Sequence, residues 1–435
     1  MLHRSSKLAA IALLLGSLAA APALAGDVVI HAGRLIDAVS RTMRANVSIL
    51  VRNDRIVSVT PGYTDPPGAE VIDLSKETVL PGLIDCHVHL LFKPGSTTPR
   101  ADAVTHTEFD RLLVGVSNAH ATLLAGFTSV RDVAAYTPAI IALKKAIASD
   151  RIEGPRVWVS GSALGPTGGH GDASTGYDEQ ITKREWTDGI VDSPEEAIKA
   201  VREHHRAGTD IIKIMPSGGV ISVGDDPEAQ LMTDAEIKAV VDTAHTLHMK
   251  VAAHAHGKGA IEHAAALGVD SIEHGSFADE ETYKVMKAHG TYLVPTLIAG
   301  ASVVEYANKH PEMLNPSSAA KALAVGPVMS RNVYNAYRAG VKIAFGTDAG
   351  VFPHGENAKE FRLMVDAGIP AMDSILAATS GAADLIGDQA DIGSIQTGRY
   401  ADIIATHGDP LADINQLQHV DFVMKGGKVV KPATP

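Results

Sequence analysis

Short apolar runs alternate with amphipathic stretches along the middle of this chain, from about residue 81 to about residue 390. Eight runs are rich in apolar, often β-branched residues and end in glycine, proline or a polar residue, which is the pattern of buried strands. In order they are GLIDCHVHL, GFTSVRDV, RVWVSG, DIIKIMP, KVAAHAHG, VDSIEHG, TYLVPTL and KIAFGTDAG. Eight strands alternating with helices predict an α/β fold, a (β/α)8 TIM barrel over residues 81–390.

Helical stretches lie between several of these runs. SPEEAIKAVREHHRAG and TDAEIKAVVDTAHTLHM are rich in alanine, and each opens with a serine or threonine followed by acidic residues. This is the signature of a capped helix N-terminus. The glycine-rich polar segment from about Gly165 to Thr187 fits neither pattern, so we expect an irregular active-site excursion there.

The two ends of the chain have a different pattern. Residues 26–80 contain short β-prone runs such as VSILVRNDRIVSV, broken by glycine, Asn-Asp and proline, and residues 391–435 repeat this pattern in YADIIATHG and VDFVMKGGKVV. Runs of this kind are typical of antiparallel strands joined by turns. We therefore predict a small β-sandwich domain built from both chain ends, with the barrel inserted between its halves.

Residues 1–25 have the pattern of a secretory signal peptide. Arg4 and Lys7 form a charged start, a short apolar run follows from Leu8 to Leu18, and an A-x-A cleavage motif ends at Ala25. The run is shorter than the roughly 20 apolar residues of a membrane span, although an uncleaved anchor is the alternative. We expect a periplasmic or secreted protein without membrane association after cleavage.

Composition and charge narrow the chemistry. The net charge of −12 argues against nucleic acid as a partner. Cys86 is the only cysteine, which excludes an intramolecular disulfide and a cysteine-based metal cluster. Any bound metal must therefore be held by histidine, aspartate, glutamate or a modified lysine.

Polar residues with metal-binding chemistry recur where the predicted strands end. Side chains two apart on a strand point the same way, so His87 and His89 would converge on one point. One such pair is weak evidence for a metal site in a chain with 20 histidines. Barrel enzymes, however, place their chemistry at the carboxyl ends of the strands. Together those ends carry His87, His89, Lys213, His254, His274 and Asp348.

The segments PGLIDCHVHL, IIKIMPSGG, HAHG, SIEHG and GTDAG, together with the split β-sandwich, resemble the amidohydrolase superfamily. The similarity covers essentially the whole mature chain. Within the superfamily the chain resembles the secreted Xaa-Pro dipeptidase and carboxypeptidase-like group, to which ochratoxin-degrading amidohydrolases are similar.

The resemblance implies a binuclear metal site. His87, His89 and Asp348 would hold the first ion, His254 and His274 the second, and Lys213, carboxylated to N6-carboxylysine, would bridge both. An ammonium cannot coordinate a cation, whereas a carbamate supplies two anionic oxygens, and burial favours the neutral amine that reacts with CO₂. Imidazole and carboxylate ligands suit zinc, with manganese or cobalt as replacements in vitro.

The implied activity is hydrolysis of an amide bond to a C-terminal amino acid, in a dipeptide, an N-acyl amino acid or ochratoxin A. A metal-bridging hydroxide would attack the carbonyl, and Asp348 would pass its proton to the leaving amine. The alternatives are a cyclic-amide or imidazolone-type hydrolase or deaminase, a lactone or phosphotriester hydrolase on the same metal core, and a non-catalytic binding module. The expected partner is a small-molecule amide or dipeptide, and we expect a homo-oligomer.

Each candidate residue also has a structural interpretation. His87 and His89 could be polar strand ends, Lys213 could pair with Asp348 or extend to solvent, and Asp348 could cap the next helix. His256 follows His254 at the ligand spacing, so spacing alone does not choose between them, although the family pattern favours His254.

Three further residues are candidates for substrate binding: His170, His256 and Tyr292. His170 lies in the loop after the third strand, where a substrate carboxylate would need a partner, and an exposed loop histidine is the alternative. His256 stands where relatives carry a tyrosine. We also predict that Arg131 and Asp132 form a supporting pair behind the site.

Overall fold

The computed structural model describes residues 26–93, 105–178 and 185–433. The predicted signal peptide lies outside the described residues. Among the helices in these ranges, none combines the length and apolarity that crossing a bilayer requires.

The described residues form a mixed α/β structure with fourteen strands and eleven α-helices. The strands are β1 Val28–Ile36, β2 Met43–Arg52, β3 Arg55–Pro61, β4 Glu70–Pro81, β5 Leu83–Val88, β6 Phe127–Asp132, β7 Arg156–Val159, β8 Ile211–Ile214, β9 Lys250–Ala255, β10 Ser271–His274, β11 Tyr292–Val294, β12 Ile403–Thr406, β13 Val420–Lys425 and β14 Lys428–Lys431. The helices are α1 Glu108–Leu124, α2 Thr137–Ala148, α3 Pro194–Ala207, α4 Asp234–Thr246, α5 Lys258–Ala266, α6 Glu280–His289, α7 Leu297–Lys309, α8 Pro316–Ala339, α9 Lys359–Asp366, α10 Ala371–Ala377 and α11 Ser380–Ile386.

Both ends of the chain contribute to one seven-stranded sheet, in the order β14-β13-β12-β4-β1-β2-β3. The halves meet where β12 runs antiparallel to β4, with Ile404 opposite Leu80. Alternating residues such as Ile30, Ala32 and Phe422 build a separate buried core for this sheet. The pairing gives a single continuous sheet, so its division into the two layers of a sandwich stays a prediction.

The strands in the middle of the chain are parallel and alternate with helices. β5, β6 and β7 form one sheet, and β8, β9, β10 and β11 form another. A single bridge between Leu164 and Ile214 connects the two sheets. These seven strands coincide with the first seven of the eight predicted from the sequence.

The eighth predicted strand, KIAFGTDAG, forms no regular ladder in the structure. Its backbone makes single bridges, from Ile343 to Leu293 and from Ala349 to Val88. Asp348 adopts a φ of 62° and Gly350 a φ of 121°, and a chain that turns through the left-handed region cannot stay extended. The segment thus joins β11 to β5 through isolated hydrogen bonds.

The helices begin where the sequence places their caps. Ser193 caps α3 by accepting from the amide of Glu196, and Thr233 and Glu236 form a reciprocal capping box at α4. These bonds satisfy amide groups that an uncapped helix leaves unpaired. The buried faces of both helices pack into one large core with the parallel strands.

Glu360, a fully buried residue of α9, fastens the start of α7. Its two carboxyl oxygens lie 2.9 Å from the amide of Leu297 and 2.7 Å from that of Ile298. Thr296, just before α7, bonds His274 through its hydroxyl at 2.6 Å. Burial raises the pKa of Glu360 from 4.5 to about 8. The protonation of Glu360 is therefore linked to the position of His274 through Leu297 and Thr296.

We expect Glu360→Gln to remove a pH dependence of stability. A folded-state pKa above the unfolded value means that the native state binds more protons, so the stabilisation is complete below about pH 4.5 and is lost as the pH rises through about 8. Between about pH 6 and about pH 9 the free energy of unfolding of the wild type should therefore fall by roughly 1 to 3 kcal/mol more than that of the variant, which thermal midpoints measured across this range would report. Parallel profiles for the two proteins would contradict this assignment.

Candidate active site

His87 and His89 both present one ring nitrogen to Asp348. Nδ1 of His87 lies 2.8 Å from a carboxylate oxygen of Glu273, and Nδ1 of His89 lies 2.9 Å from the carbonyl of Ala134. Because these acceptors take the Nδ1 proton, Nε2 keeps the lone pair in each ring. The two Nε2 atoms lie 3.6 and 3.1 Å from Oδ1 of Asp348. The three side chains thus form one potential metal-binding group.

Asp348 is held in an unusual conformation. Its φ of 62° is uncommon outside glycine. His274, the last residue of β10, and Thr296, two residues after β11, also have positive φ values, of 70° and 51°. Backbone strain of this kind concentrates at functional sites. The next helix, α9, has Ala358 as its N-cap, so Asp348 does not cap it.

Buried Asp85 fixes the turn that carries Asp348. One of its oxygens accepts from the amides of His87 and Thr347, each at 3.1 Å. The other accepts from the Thr347 hydroxyl at 2.6 Å and from the Asn357 side chain at 2.8 Å. A single carboxylate therefore ties the end of β5 to the turn opposite it.

A second group of imidazoles faces the first. Nε2 of His254 lies 3.3 Å from the carbonyl of Gly218, which leaves Nδ1 with the lone pair. Nδ1 of His274 bonds the Thr296 hydroxyl, and the His274 ring lies 4.7 Å from that of His254 and 5.1 Å from that of His87. The His87–His274 contact brings the two groups together.

Lys213 lies buried near these imidazoles. Its side chain is 1% exposed, and its Nζ has no hydrogen-bond partner among the described residues. It therefore neither pairs with Asp348 nor reaches solvent. Burial lowers the pKa of Lys213 to about 8. Burial, followed by the nearby charge of Lys213, lowers the pKa of His87 to about 4, so Lys213 is in electrostatic range of the cluster.

Glu273 and Arg131 support the cluster from behind. Arg131, inside β6, donates to Glu273 at 2.8 Å, to the Ser271 hydroxyl at 3.1 Å and to the Cys86 carbonyl at 2.6 Å. These contacts stabilise an ionised Glu273 carboxylate, whose other oxygen holds His87. Sequence inspection missed Glu273, although a charged residue within the apolar run VDSIEHG was the available signal.

The predicted pairing of Arg131 with Asp132 is wrong. Arg131 bonds Glu273, whereas Asp132 accepts from the backbone amide of Leu90 at 2.7 Å. Consecutive residues of a strand point to opposite faces, so the two side chains cannot meet. Each supports the site separately.

Glu273→Gln should weaken metal binding. The amide cannot serve as the charged acceptor for His87, so the ring loses its fixed orientation. We expect roughly a 10- to 100-fold loss of metal affinity, measured by competition with a chelator at fixed pH. The matched control is Glu281→Gln on α6, since Glu281 pairs with Lys284 in an exposed ion pair. Equal metal affinity in both variants would contradict the role given to Glu273.

The three predicted substrate-binding residues lie in different places. The His170 ring lies 4.2 Å from that of His254, and that of His256 stacks at 5.0 Å on His274. His256 also completes a three-histidine group with His254 and His274. Its Nδ1 bonds the Ser276 hydroxyl at 2.7 Å, so Nε2 is the nitrogen left for a ligand.

Tyr292 does not lie at this cluster, contrary to the sequence-based expectation. It starts β11 and pairs with Ser271 at the start of β10, whereas His274 stands at the other end of β10. Its hydroxyl bonds Asp384 on α11, and Lys342 lies 4.9 Å over its ring. As the first residue of its strand, Tyr292 lies at the end opposite the site.

Buried imidazoles and a carboxylate gathered at the ends of parallel strands are typical of metal-dependent α/β enzymes. The model of the amidohydrolase family matches residues 78–430. The chain belongs to the amidohydrolase family, and it is an enzyme, a hydrolase that acts on carbon–nitrogen bonds.

Known relatives span almost the whole chain. It is 35% identical to the ochratoxinase of Aspergillus niger, over 93% of this chain and 86% of that protein. A crystal structure of a Xaa-Pro dipeptidase with methionine bound in its active site is 39% identical with a TM-score of 0.89, covering 93% of this chain and all of that one. A prolidase in complex with N-methylphosphonate-L-proline is 33% identical with a TM-score of 0.86, at the same coverage. The expected family resemblance is therefore confirmed.

Proposed function

We propose that this protein is a binuclear metal-dependent hydrolase that cleaves the amide bond to a C-terminal amino acid. The substrate class is a dipeptide or an N-acyl amino acid. The observation that carries the proposal is the buried amine of Lys213, which has no hydrogen-bond partner among the described residues and whose charge acts on both sets of metal-competent side chains.

The proposed framework is a closed (β/α)8 barrel. Three observations support closure: the bridge from Leu164 to Ile214, the bridge from Leu293 to Ile343 and the bridge from Val88 to Ala349. Together they would link β5 to β11 and residues 343–349 into a ring. The ends of its strands would then surround the cluster, as in other barrel enzymes.

The side chains fit a pair of divalent ions. His87, His89 and Asp348 would hold one, and His254 and His274 the other, with Lys213 as a bridging carbamate. In each ring a second nitrogen is bonded to a carbonyl, carboxylate or hydroxyl oxygen, an arrangement typical of metal-ligating histidines. Imidazole and carboxylate ligands suit zinc. When bound, such ions polarise a carbonyl and make water acidic enough to attack at neutral pH.

Asp348 is the proposed proton carrier. Burial acts to raise its pKa, but the imidazoles of His87 and His89 lower the pKa below the ordinary value. It is therefore ionised at neutral pH and can accept a proton from the attacking water. Its Oδ1 lies 3.1 Å from Nε2 of His89 and has no hydrogen-bond partner among the described residues, so this oxygen is available to take a proton and pass it to the leaving amine.

The similarity to an ochratoxinase, a Xaa-Pro dipeptidase and a prolidase supports the choice of an amide with an amino acid on its amine side. We further propose that the protein acts in the periplasm or outside the cell, based on the signal-like pattern of residues 1–25.

A release assay tests the proposed activity. Purified protein, supplied with zinc and bicarbonate, is incubated with dipeptides, N-acyl amino acids including ochratoxin A, a lactone and a phosphotriester. We expect release of the free amino acid from at least one amide and about two metal ions per chain. Turnover confined to the lactone or phosphotriester would overturn the proposal, as would a metal-free protein that remains so after reconstitution.

A further inference from the structure

A loop after β8 folds over the imidazole of His170. In this loop, residues 217–226, a Cβ on Gly219 would lie 2.3 Å from Nδ1 of His170, so only glycine lets the backbone pack against the ring. The carbonyl of Gly218 in the same loop accepts from His254. One loop therefore contacts both His170 and a proposed metal ligand.

Ser222 of this loop determines which nitrogen of His170 carries the proton. Its Oγ lies 2.9 Å from Nδ1 of His170 and 2.8 and 2.7 Å from the two carboxylate oxygens of Asp225. A hydroxyl has one hydrogen, and a carboxylate only accepts. Ser222 therefore donates to Asp225 and accepts from Nδ1–H of His170, which leaves the lone pair of that ring on Nε2.

Lys321, from α8, holds Asp225 in place. Its Nζ lies 3.0 Å from Oδ1 of Asp225 and also donates to the carbonyls of Gly219 at 2.6 Å and Ser222 at 2.7 Å. The Asp225 side chain is 2% exposed. Burial acts to raise its pKa, but the hydrogen bonds from Ser222 and Lys321 lower the pKa of Asp225 below its ordinary value. Asp225 is therefore an ionised acceptor.

We propose that Lys321 and Asp225 are positioning residues that act through Ser222 to hold His170 in the Nδ1–H tautomer, with Nε2 free to accept a hydrogen bond from an N–H group of the substrate. In this arrangement the Nδ1 proton is engaged by Ser222, so His170 has no N–H to offer a substrate carboxylate. The contact with a substrate N–H, such as the ammonium of a dipeptide, rests on the proposed function. The tautomer does not.

Asp225→Asn is the most informative variant. Lys321 only donates, so the new amide turns its oxygen to Lys321 and its NH₂ to Ser222. The Ser222 hydroxyl then accepts from the amide and donates to His170, which moves the ring proton to Nε2. Ser222→Ala removes the hydroxyl that links Asp225 to His170, and Ser222→Thr keeps a hydroxyl at this position. Asp242→Asn is the matched control, because Asp242 forms an exposed ion pair with Lys238.

Nitrogen-15 NMR of the zinc-loaded, histidine-labelled protein reads the tautomer directly, with His170→Gln identifying the resonances. We expect a protonated Nδ1 in the wild type, Ser222→Thr and Asp242→Asn proteins, and a protonated Nε2 in Asp225→Asn. A wild-type ring protonated on Nε2, or an unchanged signature in Asp225→Asn, overturns the proposal. This result stands whether or not the wild type hydrolyses an amide.

Kinetics separate positioning from a purely structural role. A hydrogen bond present in the bound substrate contributes to binding, so Asp225→Asn and Ser222→Ala should raise KM about tenfold with kcat within about twofold. Metal content should stay unchanged in these variants, and Ser222→Thr should keep the wild-type KM. A fall in kcat at constant KM in Asp225→Asn and Ser222→Ala would overturn the assigned contact.

Discussion

Replacement of Lys213 by alanine should abolish amide hydrolysis while leaving the fold intact. The buried amine makes no hydrogen bond among the described residues, so its removal breaks none of the contacts that hold the strands. Without it the proposed bridge between the two ions is lost. We expect activity to fall at least about 10³-fold, the scale for loss of a group essential to the reacting centre. Amino acid release and metal content per chain are the measurements.

Small carboxylic acids provide a second test of Lys213→Ala. Acetate or formate can enter the space left by the side chain and supply the missing anionic oxygens, so partial recovery of activity is expected. Lys238→Ala is the control, since Lys238 pairs with Asp242 on the surface, where its side chain is 59% exposed. Full activity of Lys213→Ala without added acid would remove the carbamate from the mechanism.

Replacement of Asp348 by asparagine should cause the second large loss. The amide keeps the size and one oxygen of the carboxylate but cannot accept the proton of the attacking water. General acid–base groups contribute about 10²- to 10⁴-fold, so we expect kcat to fall within that range. Asp242→Asn makes the same chemical change at the surface and should be neutral.

The pH profile distinguishes the proton-carrying role of Asp348 from a role in metal binding alone. The wild-type rate should fall at acid pH as Asp348 is protonated, and a variant without this carboxylate should lose that limb of the profile. A normal profile with reduced metal content would assign Asp348 to metal binding only.

Much of the framework follows from short-range patterns in the sequence. Apolar runs located β5 to β11, and cap residues such as Ser193 and Thr233 located the starts of α3 and α4. The exception is KIAFGTDAG, which was predicted to be a strand because its apolar residues have the pattern of a buried strand. Its left-handed Asp348 is set by contacts with Asp85, which is 262 residues from Thr347 of the same turn.

The candidate site, too, was predicted from the sequence only in part. The sequence by itself determined which residue types stand at the strand ends, including His87, Lys213 and His274, because strand ends are marked locally by period and by glycine. Only the tertiary structure decided what those residues contact. Glu273 holds His87 across 186 positions, and Lys321 reaches Asp225 across 96. Tyr292 was misplaced although its position at the start of TYLVPTL already put it at the end of the strand away from the site. Local patterns encode the conformation of neighbouring residues, whereas hydrogen-bond partners and ring tautomers depend on which distant segments pack together.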